Sequence, residues 1–220
     1  MQSNHSHSEI HKIDGVGVDL ERFYPVSSET ERTQLRQERG YRQEDFILIY
    51  TAEFIPRKNH ELLFSILPQL AEKISNLQIV LCGKGPLLEQ YKRFTQEKNV
   101  PNVLFTGYTA EVADWCRLSD VLIMPSFQEG LPLAMIEAMA TGLPVVASNI
   151  RGHRDVVCDG ENGFLCNLNK PTDFVRHITL LYKNPSLRQE MGARNAIAAR
   201  KFSLGEVLPR MQEIYTEMMK

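Results

Sequence analysis

The fold class is decided by one stretch of the chain, VLIMPSFQEGLPLAMIEAMATGLPVVAS, residues 121–148. Its apolar run Val121–Met124 predicts a strand covered on both faces. A short helix is expected from about Pro132 to Thr141, because proline suits the first helical position. Gly142 suits the residue after the helix end, and Pro144 prevents continuation. A second strand is expected at Pro144–Ser148, so the stretch predicts a strand–helix–strand unit of a parallel sheet.

The same alternation of short apolar runs and helical segments extends in both directions. Further strands are predicted at Ile10–Ile13, Phe46–Tyr50, Leu77–Cys82, Val103–Thr106 and Gly163–Cys166. Helices are predicted near residues 30–39, 60–74, 86–97, 110–118, 153–157, 171–183, 186–200 and 204–219. Right-handed crossovers then give an α/β fold with a single Rossmann-like, doubly wound parallel sheet and extra C-terminal helices. Residues 1–9 are expected to form a flexible tail, and residues 10–220 one domain.

Two glutamates stand out in the opening stretch because their surroundings are apolar. Glu129 lies in the loop before the helix, and Glu137 is the only charged residue within it. A carboxylate on an apolar face is costly unless it has partners. From this helix alone, two interpretations are equally open: a core glutamate paired with a backbone N–H or an arginine, and a carboxylate that accepts hydrogen bonds from ligand hydroxyls.

Polar and glycine residues follow several of the predicted strands. Ligands of such sheets bind beyond the carboxyl ends of the strands, where Arg57 and Lys58, Gly83 and Gly85, and Tyr108 are expected. Cations beside a helix N-terminus suit a diphosphate, although a basic pair taken alone is more often merely exposed. The opened helix adds backbone N–H groups near its start, from Gly130, Leu131, Leu133 and Ala134.

Composition and motifs exclude several other functions. The 25 basic and 27 acidic residues give a net charge of −2, which argues against a nucleic-acid partner. The chain has no apolar run of 18 residues and no signal-peptide pattern, and its four cysteines form no C-x-x-C motif, so a cytoplasmic location is expected.

Gly83-Lys84-Gly85 only weakly suggests a dinucleotide, because Leu88 replaces the third glycine. His60, His153 and His177 are interpreted as helix-end or surface residues.

A set of short motifs occurs in order along the chain: GVGVDLERF (15–23), Lys58 before a helix, GKGP (83–86), FTGY (105–108), SDVLIMPS (119–126), Glu129 and EAMATGLPVVA (137–147), and NGFL (162–165). Together they resemble the C-terminal, nucleotide-sugar-binding domain of retaining GT-B glycosyltransferases, the glycosyl transferases group 1 family. The resemblance runs from about Ile10 to the end. Residues 151–155, RGHRD, resemble the exopolysaccharide and capsule branch.

The resemblance implies a role for each candidate residue. Glu137 would hold the ribose hydroxyls, and Glu129 with the backbone after it would contact the donor sugar and the diphosphate. Lys58 would bind phosphate, and the loop at Tyr108–Thr109 would contact the base. No metal or other cofactor is implied. The cationic loop and the helix N-terminus would then stabilise the leaving diphosphate electrostatically.

Two departures from the family pattern qualify this interpretation. Many members carry a Gly-Arg pair after the first strand, where this chain has Ala52-Glu53; Arg57 is a candidate replacement cation. Family enzymes also have an N-terminal acceptor domain, which is expected to be absent from this chain, and any peripheral membrane association would come through that half. The first hypothesis is therefore the donor-binding domain of an enzyme that transfers a hexose, with a UDP-sugar as the expected donor, to a lipid-linked or saccharide acceptor in surface-polysaccharide synthesis. The alternatives are a non-catalytic subunit that pairs with a separate acceptor-domain protein and, less favoured, a nucleotide-sugar epimerase.

Overall fold

A computed structural model describes Gly15 and residues 17–219. Within these residues, six strands form one sheet in the order β3-β2-β1-β4-β5-β6, and every pair is parallel. The strands are β1 (Phe46–Thr51), β2 (Leu77–Cys82), β3 (Val103–Gly107), β4 (Val121–Met124), β5 (Val145–Ser148) and β6 (Gly163–Cys166). The predicted Rossmann-like, doubly wound sheet is confirmed. The proposed strand Ile10–Ile13 and the tail 1–9 lie outside the described residues.

The direction of the strand order reverses at the centre of the sheet. From β1 the chain proceeds outward through β2 and β3, and then returns to place β4 on the other side of β1. Both central strands are buried along their whole length, which explains their apolar sequences. In open parallel sheets, this reversal leaves a crevice beyond the carboxyl ends of the two strands. The loops after β1 and β4 therefore border the expected binding site.

Helices connect and cover the strands. They are α1 (Glu29–Glu38), α2 (His60–Lys73), α3 (Leu88–Glu97), α4 (Val112–Leu118), α5 (Leu133–Ala140), α6 (Arg151–Arg154), α7 (Pro171–Lys183), α8 (Pro185–Ala199) and α9 (Leu204–Met218). Most predicted boundaries are correct within two residues. In α5, Pro132 is the residue before the first helical position and not the first position itself. Among the described residues, no helix is both long and apolar enough to cross a membrane.

The sequence placed α6 two residues too late. The helix begins at Arg151 and includes Gly152, which the sequence reasoning left in the preceding loop. A Cβ atom at Gly152 would lie 2.2 Å from the Gly130 carbonyl oxygen and 2.5 Å from that of Glu129. The backbone of the candidate site packs directly against this helical position, so only glycine leaves enough room there.

Candidate functional site

The reversal point of the sheet brings two loops together around an ion pair. Lys58 Nζ lies 2.6 Å from Glu129 Oε1, although 71 residues separate the two in the chain. Arg57 lies on the outer side, with Nη1 3.1 Å from the Gln128 carbonyl oxygen and 3.5 Å from Glu129 Oε2. The Glu129 side chain is 6% exposed and that of Lys58 16%. The three residues that the sequence singled out as catalytic candidates thus form one cluster.

The loop that carries Lys58 is fixed from both sides. Residues Pro56–Lys58 form a 3-10 turn, and Asn59 then takes a left-handed conformation with φ 52° before α2 begins. The Tyr50 hydroxyl donates to the Lys58 carbonyl oxygen at 2.6 Å, and Asn59 Nδ2 donates to the Pro125 carbonyl oxygen at 3.0 Å. Asparagine tolerates this conformation better than other non-glycine residues. Sequence reasoning missed Asn59, although an Asn directly before a helix is a recognisable N-cap signal.

The start of α5 presents free backbone donors to the same crevice. Among the described residues, the N–H groups of Gly130, Leu131 and Ala134 have no hydrogen-bond partner, whereas that of Leu133 already donates to the Leu131 carbonyl oxygen at 3.0 Å. Of the described residues, none lies within 4 Å of a Cβ placed on Gly130, so they leave the backbone there open to a ligand. Three of the four predicted donors are therefore available to an anion.

Glu137 is half-buried and lies on α5, about one helical turn beyond that opening. The described residues offer its carboxylate no hydrogen bond from a backbone N–H or from an arginine, so the pairing expected of a purely structural core glutamate is missing. Burial raises the pKa of Glu137, and the positive charge of Arg22 partly offsets this rise. A half-buried carboxylate without hydrogen-bond donors is suited to accept them from a ligand.

The loops after β2 and β3 adjoin the crevice, but the two glycines between β2 and α3 have a structural explanation. A Cβ at Gly83 would lie 1.9 Å from the Ala52 carbonyl oxygen, and one at Gly85 would lie 2.7 Å from the Phe54 backbone. Both glycines also have positive φ values, 153° and 148°. They are required for two loops to pack backbone against backbone, whether or not they contact a ligand.

The nearby aromatic residue Tyr108 is available to a ligand. Its side chain is 79% exposed, and Lys84 Nζ lies 5.0 Å from the centre of its ring. Thr109, which follows it, accepts a hydrogen bond from the Glu111 N–H and so helps to start α4. Glu53, which occupies the place of the usual family arginine, is exposed.

Two of the three histidines that were interpreted as helix-end or surface residues are buried. His60 begins α2, as a helix-end residue, but only 1% of it is exposed and its ring stacks on Phe54 at 4.2 Å. His153 is fully buried, with Nδ1 2.8 Å from the Ser148 carbonyl oxygen. Burial lowers the pKa of His60 to about 4. The aromatic rings around His60 come from β1, the loop after it and α3, so the helical pattern of α2 alone does not predict its burial.

Comparison with known proteins gives a consistent result. The family described as "Glycosyl transferases group 1" matches residues 31–197. The putative glycosyltransferase EpsD of Bacillus subtilis is 36% identical over 94% of this chain and 55% of its own length. The UDP-Gal:α-D-GlcNAc-diphosphoundecaprenol α-1,3-galactosyltransferase of Escherichia coli is 27% identical over 92% of this chain and 53% of its own.

Solved structures share the fold. A variant of TarM from S. aureus, crystallised with UDP, fondaparinux and α-GlcNAc-glycerol, superposes with a TM-score of 0.72 at 26% identity. That match covers 78% of this chain and 36% of the TarM chain. The chain spans about half the length of the curated relatives it matches.

Proposed function

The chain belongs to the glycosyl transferases group 1 family, and we propose that it forms the nucleotide-sugar-binding part of a retaining glycosyltransferase. The observation that carries the proposal is the convergence, at the reversal point of the sheet, of the Lys58–Glu129 pair with the open N-terminus of α5. These groups match the parts of a nucleoside diphosphate sugar in type and order. Its diphosphate needs cations and N–H donors, and its ribose needs a hydroxyl acceptor.

Each part of the donor is assigned to a group at the crevice. The diphosphate lies between Lys58, Arg57 and the free N–H groups at the start of α5. Glu137 accepts hydrogen bonds from the ribose hydroxyls, and Glu129 faces the sugar. The loop that contains Tyr108 and Thr109, together with the neighbouring Gly83–Gly85 turn, borders the base.

The chemistry assigned to these residues is stabilisation of the leaving group. As the bond from the sugar to the diphosphate breaks, negative charge grows on the diphosphate. Lys58, Arg57 and the α5 N–H groups oppose that charge, which is an electrostatic contribution that enzymes commonly use. We propose that no metal ion or other cofactor takes part.

For the donor we propose a UDP-hexose, and for the acceptor a lipid-linked or saccharide molecule in surface-polysaccharide synthesis. The UDP complex of the TarM variant and the UDP-Gal donor named for the E. coli relative support the base. The diphosphoundecaprenol in that relative's name supports a lipid-linked acceptor. The acceptor is bound by a further domain or a partner chain, and the reaction takes place in the cytoplasm, at the inner face of the membrane where the acceptor requires it.

Titration of the ¹⁵N-labelled chain with UDP tests this assignment. We expect amide shifts at Gly130, Leu131 and Ala134, at Tyr108–Thr109 and around Glu137, with an affinity in the micromolar to millimolar range, roughly −8 to −4 kcal/mol. Parallel titrations with ADP and GDP test the choice of base. Absence of any shift at these amides at millimolar UDP would refute the proposal. Binding of UDP without transfer, even when the acceptor-binding part is supplied, would favour the non-catalytic subunit.

A further inference from the structure

A turn before α1 carries an arginine that contacts the segment after the proposed base-binding loop. Its residues 17–23 are held at both ends. The Val18 N–H donates to the Phe202 carbonyl oxygen at 2.7 Å, and the Leu204 N–H donates to the Val18 carbonyl oxygen at 3.0 Å. Phe23, at the other end, is 4% exposed and belongs to the hydrophobic core. The turn is therefore a fixed part of the domain, and we refer to residues 17–23 as the Arg22 turn.

The backbone of this turn orients Arg22. Asp19 Oδ1 accepts hydrogen bonds from the N–H groups of Glu21 at 2.9 Å and of Arg22 at 3.3 Å. The Arg22 guanidinium lies 5.1 Å from the centre of the Phe23 ring, so a buried aromatic residue supports it. From there Arg22 Nη2 donates to the carbonyl oxygen of Ala110, which is 88 residues away in sequence.

Ala110 directly follows Tyr108 and Thr109, the loop assigned to the base. A charge-assisted hydrogen bond to its carbonyl oxygen fixes this loop where it passes from β3 to α4. The same guanidinium acts on Glu137. Burial raises the pKa of Glu137, and the charge of Arg22 opposes this rise and favours the ionised form. The second titratable group that interacts with Glu137 is the thiol of Cys116 on α4, which burial keeps neutral by raising its pKa. Among the described residues, Arg22 is thus the cation that influences this carboxylate.

We propose that Arg22 is a positioning residue of the nucleotide site, which ties down the base-side loop at Ala110 and balances the charge of the ribose-side carboxylate Glu137. The inference rests on the proposed function, because it takes that loop and Glu137 as the base and ribose contacts. It adds a residue from outside the four strand-end loops that the sequence pattern indicated.

The two actions of Arg22 are separable by substitution. Arg22→Gln removes the positive charge and weakens the bond to Ala110, whereas Arg22→Lys keeps the charge but loses the planar donor geometry. Without the charge, the Glu137 carboxyl takes up a proton at a higher pH, and a protonated carboxyl is a poorer acceptor for ribose hydroxyls. The pH at which UDP affinity falls should therefore rise in Arg22→Gln and stay at the wild-type value in Arg22→Lys.

Calorimetric titration of the full chain with UDP between pH 5 and pH 8 provides the test. We expect Arg22→Gln to weaken binding about tenfold at pH 7, equivalent to about 1.4 kcal/mol, and to raise the pH midpoint of binding. Arg22→Lys should weaken binding about threefold with an unchanged midpoint. The matched control is Arg210→Gln, which removes an exposed arginine of α9 whose ion-pair partner among the described residues is Glu213 and should bind UDP as the wild type does.

An unchanged affinity and an unchanged pH midpoint in Arg22→Gln would overturn the inference. Thermal unfolding identifies a variant that fails to fold, in which case Arg22→Lys, compared with the control, still decides whether the loop contact matters. If the wild type itself does not bind UDP, the proposed function fails and the nucleotide role of Arg22 fails with it, whereas its effect on the charge of Glu137 is still tested without ligand. The Glu137 pKa is then measured by ¹³C NMR without ligand, and no increase in Arg22→Gln would overturn the charge balance.

Discussion

At the scale of single residues, the ion pair between Lys58 and Glu129 leads to a counter-intuitive prediction. In the unliganded protein, the Glu129 carboxylate is paired with the Lys58 ammonium group that the diphosphate needs, and its negative charge also repels phosphate. Glu129→Gln should therefore strengthen UDP binding by about threefold to fivefold, equivalent to about 0.7–1 kcal/mol. Transfer by an enzyme that contains this domain should fall, because Glu129 is assigned to the sugar.

Calorimetry with UDP measures the first effect, and Glu213→Gln serves as the control because that carboxylate pairs with Arg210 on exposed α9. Weaker UDP binding in Glu129→Gln than in the control would mean that Glu129 contacts the nucleotide and not the sugar.

His60 makes a second prediction, which concerns stability and pH. Its pKa is lowered from 6.5 to about 4 because its ring is buried among aromatic residues. The unfolded chain takes up a proton below pH 6.5 while the folded chain does not, so the free energy of unfolding falls as the pH drops from 6.5 towards 4, and this effect levels off below 4. Between pH 7 and pH 5 this residue accounts for a loss of about 2 kcal/mol.

His60→Phe keeps an aromatic ring against Phe54 and removes the titration. Urea unfolding at pH 7 and pH 5 should show a smaller difference than in the wild type. His177→Phe is the control, because His177 is only half-buried, stacks on Phe164 at 4.3 Å and should change the difference less. Equal pH dependence in wild type and His60→Phe would show that His60 is accessible to protons in the folded chain.

Individual residues of the site were predictable, but their pairing was not. The carboxyl ends of parallel strands share one edge, which is why Lys58, Glu129 and Tyr108 were expected to be neighbours. The Lys58–Glu129 contact depends on β4 lying next to β1, a choice of strand order that no local pattern specifies. The lack of a hydrogen-bond partner for Glu137 among the described residues and the hydrogen bond from Arg22 to Ala110 likewise depend on how distant segments pack.

At the scale of elements, the glycine within α6 is expected to stabilise the protein, whereas a glycine within a helix usually destabilises it. Replacing a glycine within a helix by alanine normally stabilises it by up to about 1 kcal/mol. At Gly152 the added methyl group would overlap the backbone of Glu129 and Gly130. Gly152→Ala should therefore destabilise the protein by about 1–3 kcal/mol, the usual cost of overpacking, and should weaken UDP binding because the displaced backbone carries the site.

Gly205→Ala in α9 is the matched control. A Cβ there would meet only the Ser203 side chain, at 3.7 Å, so this change should be neutral or stabilising. Urea unfolding and UDP titration of both variants check the pair of expectations. A stabilised Gly152→Ala with normal UDP affinity would mean that α6 and the Glu129 loop move apart freely.

The helices and strands themselves were largely predictable, because their patterns are local. β1 and β4 consist of apolar residues covered on both faces, and proline and glycine mark the ends of α5. Errors occurred where a tertiary contact overrides the local signal, as at Gly152. A glycine normally indicates a loop, and only the packing of α6 on another segment explains its place in a helix.

At the scale of the whole molecule, the two ends of the parallel strands have different roles. The candidate site lies at their carboxyl ends. A buried network of ion pairs, centred on Asp120 directly before β4, lies at their amino ends. Asp120 Oδ1 accepts from Arg32 at 2.8 Å, and Oδ2 accepts from Arg36 at 2.7 Å and from the Ile47 N–H at 2.8 Å. Arg188 Nε of α8 lies 3.8 Å away. One carboxylate thus joins α1 and α8 to the two central strands.

Removing this carboxylate should affect stability and not binding. The Arg36 side chain is 5% exposed, and burial lowers its pKa while Asp120 opposes that change, so Asp120→Ala leaves a buried cation without its counter-charge. Breaking such a pair costs about 3–5 kcal/mol, whereas Glu213→Ala, which breaks an exposed pair, should cost less than about 1 kcal/mol. Urea unfolding measures both. Under conditions in which Asp120→Ala remains folded, it should bind UDP with wild-type affinity, because the network lies at the opposite ends of the strands from the candidate site. Weaker binding by the folded variant would show that the two ends are coupled through β1 and β4.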